Sequence, residues 1–347
     1  MEQNEESFLR ALAERPFDRT LRLVFSDWLL ESRDNHAVAR GEAISLFEKG
    51  TLSALERRKL TKLQETHGRA WLGPLGARVE REQCRFEGGL LKTVCFPSNM
   101  PAADYAALVG EPRLALVDTL RILPGRVAAE VGQFLSHPVL GRVIELEGDL
   151  DTLLKADGYG FVPQRLKLHL WQPRADLARF AAFSPLKLAT VLQLRTVEFI
   201  LPELVDEVVQ ALWSTGALEG RTRLELFARH ATFEGVVAWL RAGGPMRGKL
   251  VRWSVDFKDV QLGLEGDDFE LLTVDTLAHD ARDSIAERIA VAASVISLLD
   301  GIGLRRVEVR HVPGGKLDKD ELNTMRAGLR RLKGLEEFRV AGVPLSP

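Results

Sequence analysis

Cysteine and an excess of charge of one sign are both lacking in this sequence. The chain has two cysteines, Cys84 and Cys95, among 347 residues. Two are too few for a disulfide-stapled fold or a four-cysteine zinc site. The 47 basic and 49 acidic side chains leave a formal net charge of −2. A chain so close to neutral lacks the basic footprint of a general nucleic-acid-binding protein, and we do not expect a nucleic-acid partner.

Long hydrophobic runs are missing too. The most apolar stretch, residues 285–299, contains Glu287 and Arg288 and is shorter than the roughly 20 residues that a bilayer requires. Residues 1–6 are acidic and lack the basic start and apolar core of a secretion signal. The sequence therefore predicts a cytoplasmic protein with reduced thiols and no membrane partner.

Recognisable catalytic motifs are also absent. Residues 243–250 approach the phosphate-loop pattern G-x-x-x-x-G-K-[ST], but Leu250 replaces the hydroxyl residue that would hold magnesium. The predicted order there, helix before and strand after, is the reverse of a phosphate loop. The seven histidines form neither H-x-x-x-H nor H-x-H. The sequence thus predicts no enzyme activity, no cofactor and no metal site.

Residues 1–70 predict a series of helices. Pro16 ends the first, because proline lacks an amide hydrogen and disfavours helix at the residue before it. Asp18 is a candidate N-cap for the second helix. Ser53 and Glu56 have capping-box spacing ahead of a charged helix.

Five segments of about the first 95 residues match a known pattern in order. They read FLRAL at residues 8–12, RLVFSDWL at 22–29, RGEAI at 40–44, WLGPL at 71–75 and FEGGL at 86–90. This series resembles the bacterial repeat-companion domain, whose members read FLxAI, RLVYADWLEERGD, RGEFIxLQ, W-x-G-P-L and F-x-x-G-F/L. The resemblance covers about the first 95 residues. It implies a helical domain ahead of leucine-rich-type repeats and carries over no catalytic residue.

The sequence departs from this family at two places. Ser26 stands where the family has alanine, and residues 34–39 are a short insertion in a turn.

Short apolar strands recur through the rest of the chain, with centres mostly 23 to 31 residues apart. The predicted strands are residues 90–96, 119–123, 142–147, 165–171, 195–201, 222–227, 250–257, 270–276, 305–311 and 336–340. Amphipathic helices are predicted between them, at residues 126–136, 174–183, 202–213, 233–241, 284–299 and 317–332. One strand and one helix per unit is the order of a leucine-rich repeat.

The sequence accordingly predicts an α/β fold, with a leucine-rich-repeat-like solenoid of parallel strands and outer helices over residues 71–347. An N-terminal all-α domain over residues 1–70 would cap the exposed edge of the first repeat, or recruit a partner. The asparagine of the leucine-rich consensus is missing after nearly every strand, so these repeats are degenerate. The alternative is an ordinary α/β domain with a doubly wound sheet.

Alternate strand residues would line the concave face of such a solenoid. They combine both signs of charge with aromatic side chains, as protein-binding surfaces do. The candidates are Arg121, Glu145, Lys167, His169, Trp171, Glu198, Arg223, Glu225, Phe227, Arg252, Asp256, Asp275, Arg306, Glu308 and Arg310. Taken singly, each is equally consistent with a solvated surface. A second interpretation is an acidic patch for a basic partner, formed by Asp256, Asp259, Asp267, Asp268 and Asp275.

The composition, the repeats and this face together predict a non-enzymatic protein–protein interaction module, such as a scaffold, adaptor or regulator, with another protein as partner. One alternative is an immunity protein that neutralises a toxin or effector through the same face. A second alternative is an enzyme whose site is built from distant loops.

Overall fold

The chain divides into two compact units, residues 1–163 and residues 164–347. The first unit holds the N-terminal helices together with the first four strands, and the domain boundary at residue 70 stays a prediction. The structure is a computed structural model. It describes residues 2–97, 99–123, 129–170, 176, 178–179, 183, 185–196, 207, 210–211, 214, 223–228, 233–242, 252–257, 260–265, 271–276, 294, 304–310, 319–330, 334–340 and 343–345.

Four helices open the first unit. They are α1 (Glu2–Glu14), α2 (Arg19–Leu30), α3 (Asn35–Glu48) and α4 (Ala54–Trp71). The first ends just before Pro16, as predicted.

Side-chain caps fix where these helices begin. The Asp18 carboxylate accepts a hydrogen bond from the Leu21 amide at 3.0 Å. The predicted capping box is confirmed: the Glu56 amide donates to Ser53 Oγ at 3.3 Å, and the Ser53 amide donates to Glu56 Oε2 at 3.0 Å. Asp34 caps α3, so the insertion at residues 34–39 forms the first turn of that helix.

The helices pack on the beginning of the sheet. A buried apolar cluster joins Phe25 and Leu29 of α2 to Leu90 and Leu116, which lie in and beside the first strands. The rings of Phe8 and Phe25 stack within it, 5.1 Å apart. Since apolar burial is the main stabilising term, helices and first strands form one core.

A tight hairpin begins the sheet. Strand β1 (Arg85–Glu87) runs antiparallel to β2 (Leu90–Phe96), and Gly88 and Gly89 join them with φ of 50° and 76°. A Cβ at Gly88 would collide with the Phe47 side chain of α3. The turn therefore needs glycine for both its conformation and its fit against the helix.

Parallel strands continue the first unit. Strand β2 pairs with β3 (Thr119–Ile122), and β3 pairs with β4 (Glu145–Asp149). Between these parallel strands lie the helices α5 (Ala102–Leu108) and α6 (Val131–Ser136) and the 3₁₀ helices Pro112–Leu116 and Pro138–Leu140. Helix α7 (Leu150–Leu153) follows β4. Two further 3₁₀ helices, Gly73–Ala77 and Arg81–Gln83, lie between α4 and β1.

A buried ion-pair network ties the helices to the hairpin. Arg40 of α3 donates from Nε to the Gly89 carbonyl at 2.9 Å and from Nη1 to Glu5 Oε1 at 2.6 Å. Arg113 donates to the other oxygen of Glu5 at 2.9 Å and to Glu111 at 3.0 Å. Burial lowers the pKa of Arg40, and the Glu5 carboxylate counteracts this effect. The network thus joins four segments of the first unit: α1, α3, the hairpin turn and the segment that contains Glu111 and Arg113.

The second unit holds nine strands, each paired with its neighbours in chain order among the residues that the structure describes. They are β5 (Arg165–Leu170), β6 (Val191–Thr196), β7 (Arg223–Ala228), β8 (Arg252–Phe257), β9 (Val260–Glu265), β10 (Leu271–Thr276), β11 (Arg306–Val309), β12 (Glu337–Val340) and β13 (Val343–Leu345). Its described helices include α8 (Pro185–Leu188), α9 (Phe233–Ala242) and α10 (Lys319–Leu329). The pairs β8–β9, β9–β10 and β12–β13 are antiparallel and the remaining described pairs are parallel.

The structure corrects three strand predictions. Strand β6 begins at Val191, whereas residues 195–201 were expected, because the alternating Leu192 and Leu194 are the buried residues. Strand β4 lies at Glu145–Asp149 and not at residues 142–147. Strand β9 had not been predicted at all, and it breaks the order of one strand and one helix per unit.

Three predicted helices, residues 174–183, 202–213 and 284–299, lie largely outside the described residues. The mixed α/β class and the mostly parallel sheet agree with the sequence.

In the helical core of the first unit, we expect the loss of stability on truncating a leucine to depend strongly on how deeply that leucine is buried. Leu12 is fully buried in the apolar cluster, whereas Leu55 on α4 is 77% exposed. Leu12→Ala should lower the free energy of unfolding by about 2–5 kcal/mol, because it removes buried methyl groups and leaves a cavity. Leu55→Ala is the matched control and should change it by less than about 0.5 kcal/mol. Urea denaturation compares the two, and equal losses would contradict this packing.

The buried guanidinium gives a second prediction. Arg40→Ala should lower the free energy of unfolding by roughly 3–5 kcal/mol, since it leaves the Gly89 carbonyl and the partly buried Glu5 Oε1 without their donor. Arg10→Ala is the control, because Arg10 pairs with Glu6 on an exposed helix surface and such pairs contribute less than about 1 kcal/mol. Denaturation curves that show similar effects for both variants would rule out the proposed role of Arg40.

Candidate functional site

Strand register in the second unit aligns three rows of mostly polar residues on one sheet face, which we name the polar face. The first row is Arg165, Val191, Arg223, Arg252, Glu265, Leu271, Arg306 and Glu337. The second is Lys167, Gln193, Glu225, Ser254, Gly263, Thr273, Glu308 and Arg339. The third is His169, Arg195, Phe227, Asp256, Gln261 and Asp275.

The residues between these rows are apolar. In β5, Leu166, Leu168 and Leu170 are buried, while Lys167 and His169 remain partly exposed. Alternate side chains of a strand point to opposite faces, so the leucines face the core and the polar residues face away from it. The polar face is thus a consequence of the buried leucine ladder.

The predicted concave residues in the strands of the second unit all fall on these rows. The register gives this result for Lys167, His169, Arg223, Glu225, Phe227, Arg252, Asp256, Asp275, Arg306 and Glu308. Arg310 directly follows β11. Trp171 and Glu198 lie outside the described residues, as do Asp259, Asp267 and Asp268 of the predicted acidic patch. A role of these residues in binding stays a prediction.

An ion-pair cluster crosses β9, β10 and β11. Arg310 donates to both oxygens of Glu265, at 3.1 and 2.8 Å, and from Nε to Glu308 at 3.2 Å. The Thr273 hydroxyl, on the strand between, donates to Glu265 Oε1 at 3.4 Å. Partial burial lowers the pKa of Arg310, but its bonds to Glu265 and Glu308 outweigh this effect, so the pKa is raised.

Glu265 is not among the predicted site residues, because no strand is predicted between residues 257 and 270. A signal for it does exist: Val260, Leu262 and Leu264 alternate with Gln261, Gly263 and Glu265, which is the period of a strand.

Charge is uneven across the polar face. Strands β5–β8 carry a net charge of +3 on the rows, and we name this part the basic patch. Its charged residues are Arg165, Lys167, Arg195, Arg223 and Arg252, with Glu225 and Asp256. The rows of β9–β12 carry a net charge of −2, from Glu265, Asp275, Glu308 and Glu337 with Arg306 and Arg339. Arg310 and Arg339 are each paired there with glutamates. The surplus of positive charge lies on β5–β8.

The two predicted residues of the first unit occupy neighbouring strands there. Arg121 on β3 lies 3.2 Å from Glu147 on β4, measured from Nε to Oε2. Thr119 is the register partner of Glu145, which is partly exposed. Arg121 and Glu145 thus belong to the first unit, and they are not part of the three rows defined on the second unit.

The two thiols are buried and unoxidised. Burial raises the pKa of Cys84, and it raises the pKa of Cys95 to about 12. The Cys95 thiol donates to Gln83 Oε1 at 3.4 Å. Since the thiolate is the reactive form, these thiols are poor nucleophiles at neutral pH.

The described part of the chain contains neither a metal cluster of three or more ligands nor a membrane-spanning helix. No group of three or more His, Cys, Asp or Glu side chains that could hold a metal occurs there. No helix among the described residues is both long and apolar enough to cross a bilayer. The phosphate-loop-like residues 243–250 lie outside this part.

Comparison with known proteins gives no match: no family model, no curated protein and no solved structure matches the chain. The resemblance of about the first 95 residues to the repeat-companion family therefore stays a prediction.

The cluster on β9–β11 yields a testable contrast. Glu265→Ala should lower the free energy of unfolding of the chain by about 1–3 kcal/mol, because it removes a bidentate charged pair and leaves Thr273 without one acceptor. Glu337→Ala is the matched control, since Glu337 pairs with Arg339 on its own strand at a more exposed position. We expect that variant to lose less than about 1 kcal/mol. Chemical denaturation tests this order, and the reverse order would contradict it.

Proposed function

We propose that this chain is a leucine-rich-repeat-like solenoid that binds another protein on its polar face. Support for the solenoid comes from strand order, because each described strand pairs with its neighbour in the sequence. A doubly wound sheet instead reverses its strand order at a switch point. The described pairs within β1–β4 and within β5–β13 contain no such reversal. The antiparallel strand β9 is an irregular element in the repeat series.

The N-terminal helices are proposed as the cap of this solenoid and as a member of the repeat-companion family. Solenoids need their first unit covered, since an open end exposes apolar surface. The packing of Phe25 and Leu29 against Leu90 and the bond from Arg40 to the hairpin turn support this role. The free thiols fit the reducing cytoplasm that we expect for the protein.

One observation carries the binding role: three polar rows extend over the strands of the second unit, each backed by an apolar row. A continuous polar face fixed by strand register presents charges at constant spacing, and extended faces of this kind are used by solenoids for binding. Both signs of charge occur together with Phe227, which suits protein recognition. Glu225 and Asp256 lie among the basic residues, and a protein surface can match such mixed charge better than a uniformly negative phosphate backbone, so we favour a protein partner.

The basic patch indicates the charge of that partner. With a net charge of +3 on β5–β8, complementarity favours a partner whose contact surface is acidic. Such charge pairs mainly set partner choice and association rate, and they weaken with salt.

The test is a comparison of two charge-reversed variants in affinity purification from the native host, followed by binding measurements with the purified partner. Arg223→Glu with Arg252→Glu should abolish recovery of the partner and weaken its binding by about tenfold or more. The control is Arg326→Glu with Arg330→Glu, which makes the same change in net charge at helix α10 and beyond its end. It should bind as the natural chain does.

Affinity is then measured at low and high salt for the natural chain and both variants. We expect a steep loss of affinity with salt for the natural chain and the control. Equal partner recovery by the two variants would reject the polar face as the binding surface.

A further inference from the structure

Helices α3 and α4 bring together two histidines that are 31 residues apart in the sequence. The Nδ1 atoms of His36 and His67 lie 2.9 Å from each other. Their ring centroids are 5.1 Å apart and the ring planes meet at 69°. His36 is exposed and His67 is partly exposed, so solvent reaches the pair.

Neighbouring groups fix the backbone of His36 and pack against the ring of His67. The indole of Trp71, a buried residue at the end of α4, donates from Nε1 to the His36 carbonyl at 2.8 Å. The same indole lies nearly parallel to the His67 ring, at 15° and 6.5 Å between centroids. Asp34 accepts a hydrogen bond from the His36 amide at 3.1 Å.

The distance between the two nitrogens fits one type of metal geometry. Imidazole nitrogens bind divalent transition metals at roughly 2.0–2.1 Å. Two such bonds at a right angle place the nitrogens about 2.9 Å apart, whereas a tetrahedral angle places them about 3.3 Å apart. The observed 2.9 Å separation matches the right angle. Tetragonal geometry with nitrogen and oxygen ligands is typical of Cu²⁺ and Ni²⁺.

We propose that His36 and His67 form a binding site for Cu²⁺ or Ni²⁺, with both Nδ1 atoms in neighbouring coordination positions and water in the others. Binding requires both imidazoles in their neutral form at Nδ1, so a shared hydrogen bond between them is replaced by two metal bonds. The ion would link the first turn of α3 to the last turns of α4. This site lies in the first unit and is independent of the polar face.

The test uses the full chain and the metal ion alone, at neutral pH in a buffer that does not bind metal. Calorimetric titration with Cu²⁺ should give one tight site per chain, and Ni²⁺ should bind more weakly, as the general affinity order requires. His36→Gln and His67→Gln should each weaken this site by roughly tenfold or more, since each removes one of two protein ligands. His169→Gln on the polar face is the matched control and should leave it unchanged.

Two further readouts do not depend on the variants alone. Electron paramagnetic resonance of the Cu²⁺ form of the natural chain should report two imidazole nitrogens. Cu²⁺ or Ni²⁺ should raise the melting temperature of the natural chain and of the His169 variant, but not of the His36 and His67 variants, because the folded site binds the ion and the separated histidines do not.

Three results would overturn the proposal. They are a spectrum with one nitrogen ligand, unchanged affinity in both glutamine variants, or the absence of any site tighter than millimolar in the natural chain. Circular dichroism of each variant establishes that it is folded before it is compared.

Discussion

The burial of Arg40 is the constraint on which the first unit depends. A guanidinium out of water requires partners, and these come from Glu5 on α1 and from the carbonyl of Gly89 in the hairpin turn. That turn in turn needs glycine, because a side chain at Gly88 would collide with Phe47. Helix α3, the N-terminal helix and the first hairpin must therefore assemble together. An apolar side chain at position 40 would pack there without fixing this arrangement.

Local signals in the sequence predicted the local structure well. The capping box of Ser53 and Glu56 is confirmed, and strand β2 has the predicted bounds, because both depend on residues close in the chain. Strand β9 was missed since a short alternating segment looks alike in a strand and in a connection. The pair of His36 and His67 was invisible for another reason: its spacing comes from the packing of two helices and from no local motif.

The polar face was predictable in composition but not in its pattern of charge pairing. Alternation alone put Lys167, His169 and Glu308 opposite the buried residues of their strands. The neutralisation of Arg310 by Glu265 depends on an antiparallel strand whose place in the sheet no spacing rule gives. The rows of β9–β12 carry a net charge of −2, whereas those of β5–β8 carry +3. Register therefore places the positive charge of the face on β5–β8, where the proposed acidic partner would bind.

The last described strand has a consequence for self-association. Strand β13 is three residues long, and its middle residue, Pro344, is opposite Arg339 of β12. Proline has no amide hydrogen, so the outward-facing position of this edge offers a carbonyl but no donor. A strand from a second copy that approached here could donate a hydrogen bond to the carbonyl but would receive none in return. This edge is thus protected against the edge-to-edge growth that leads sheets into fibrils.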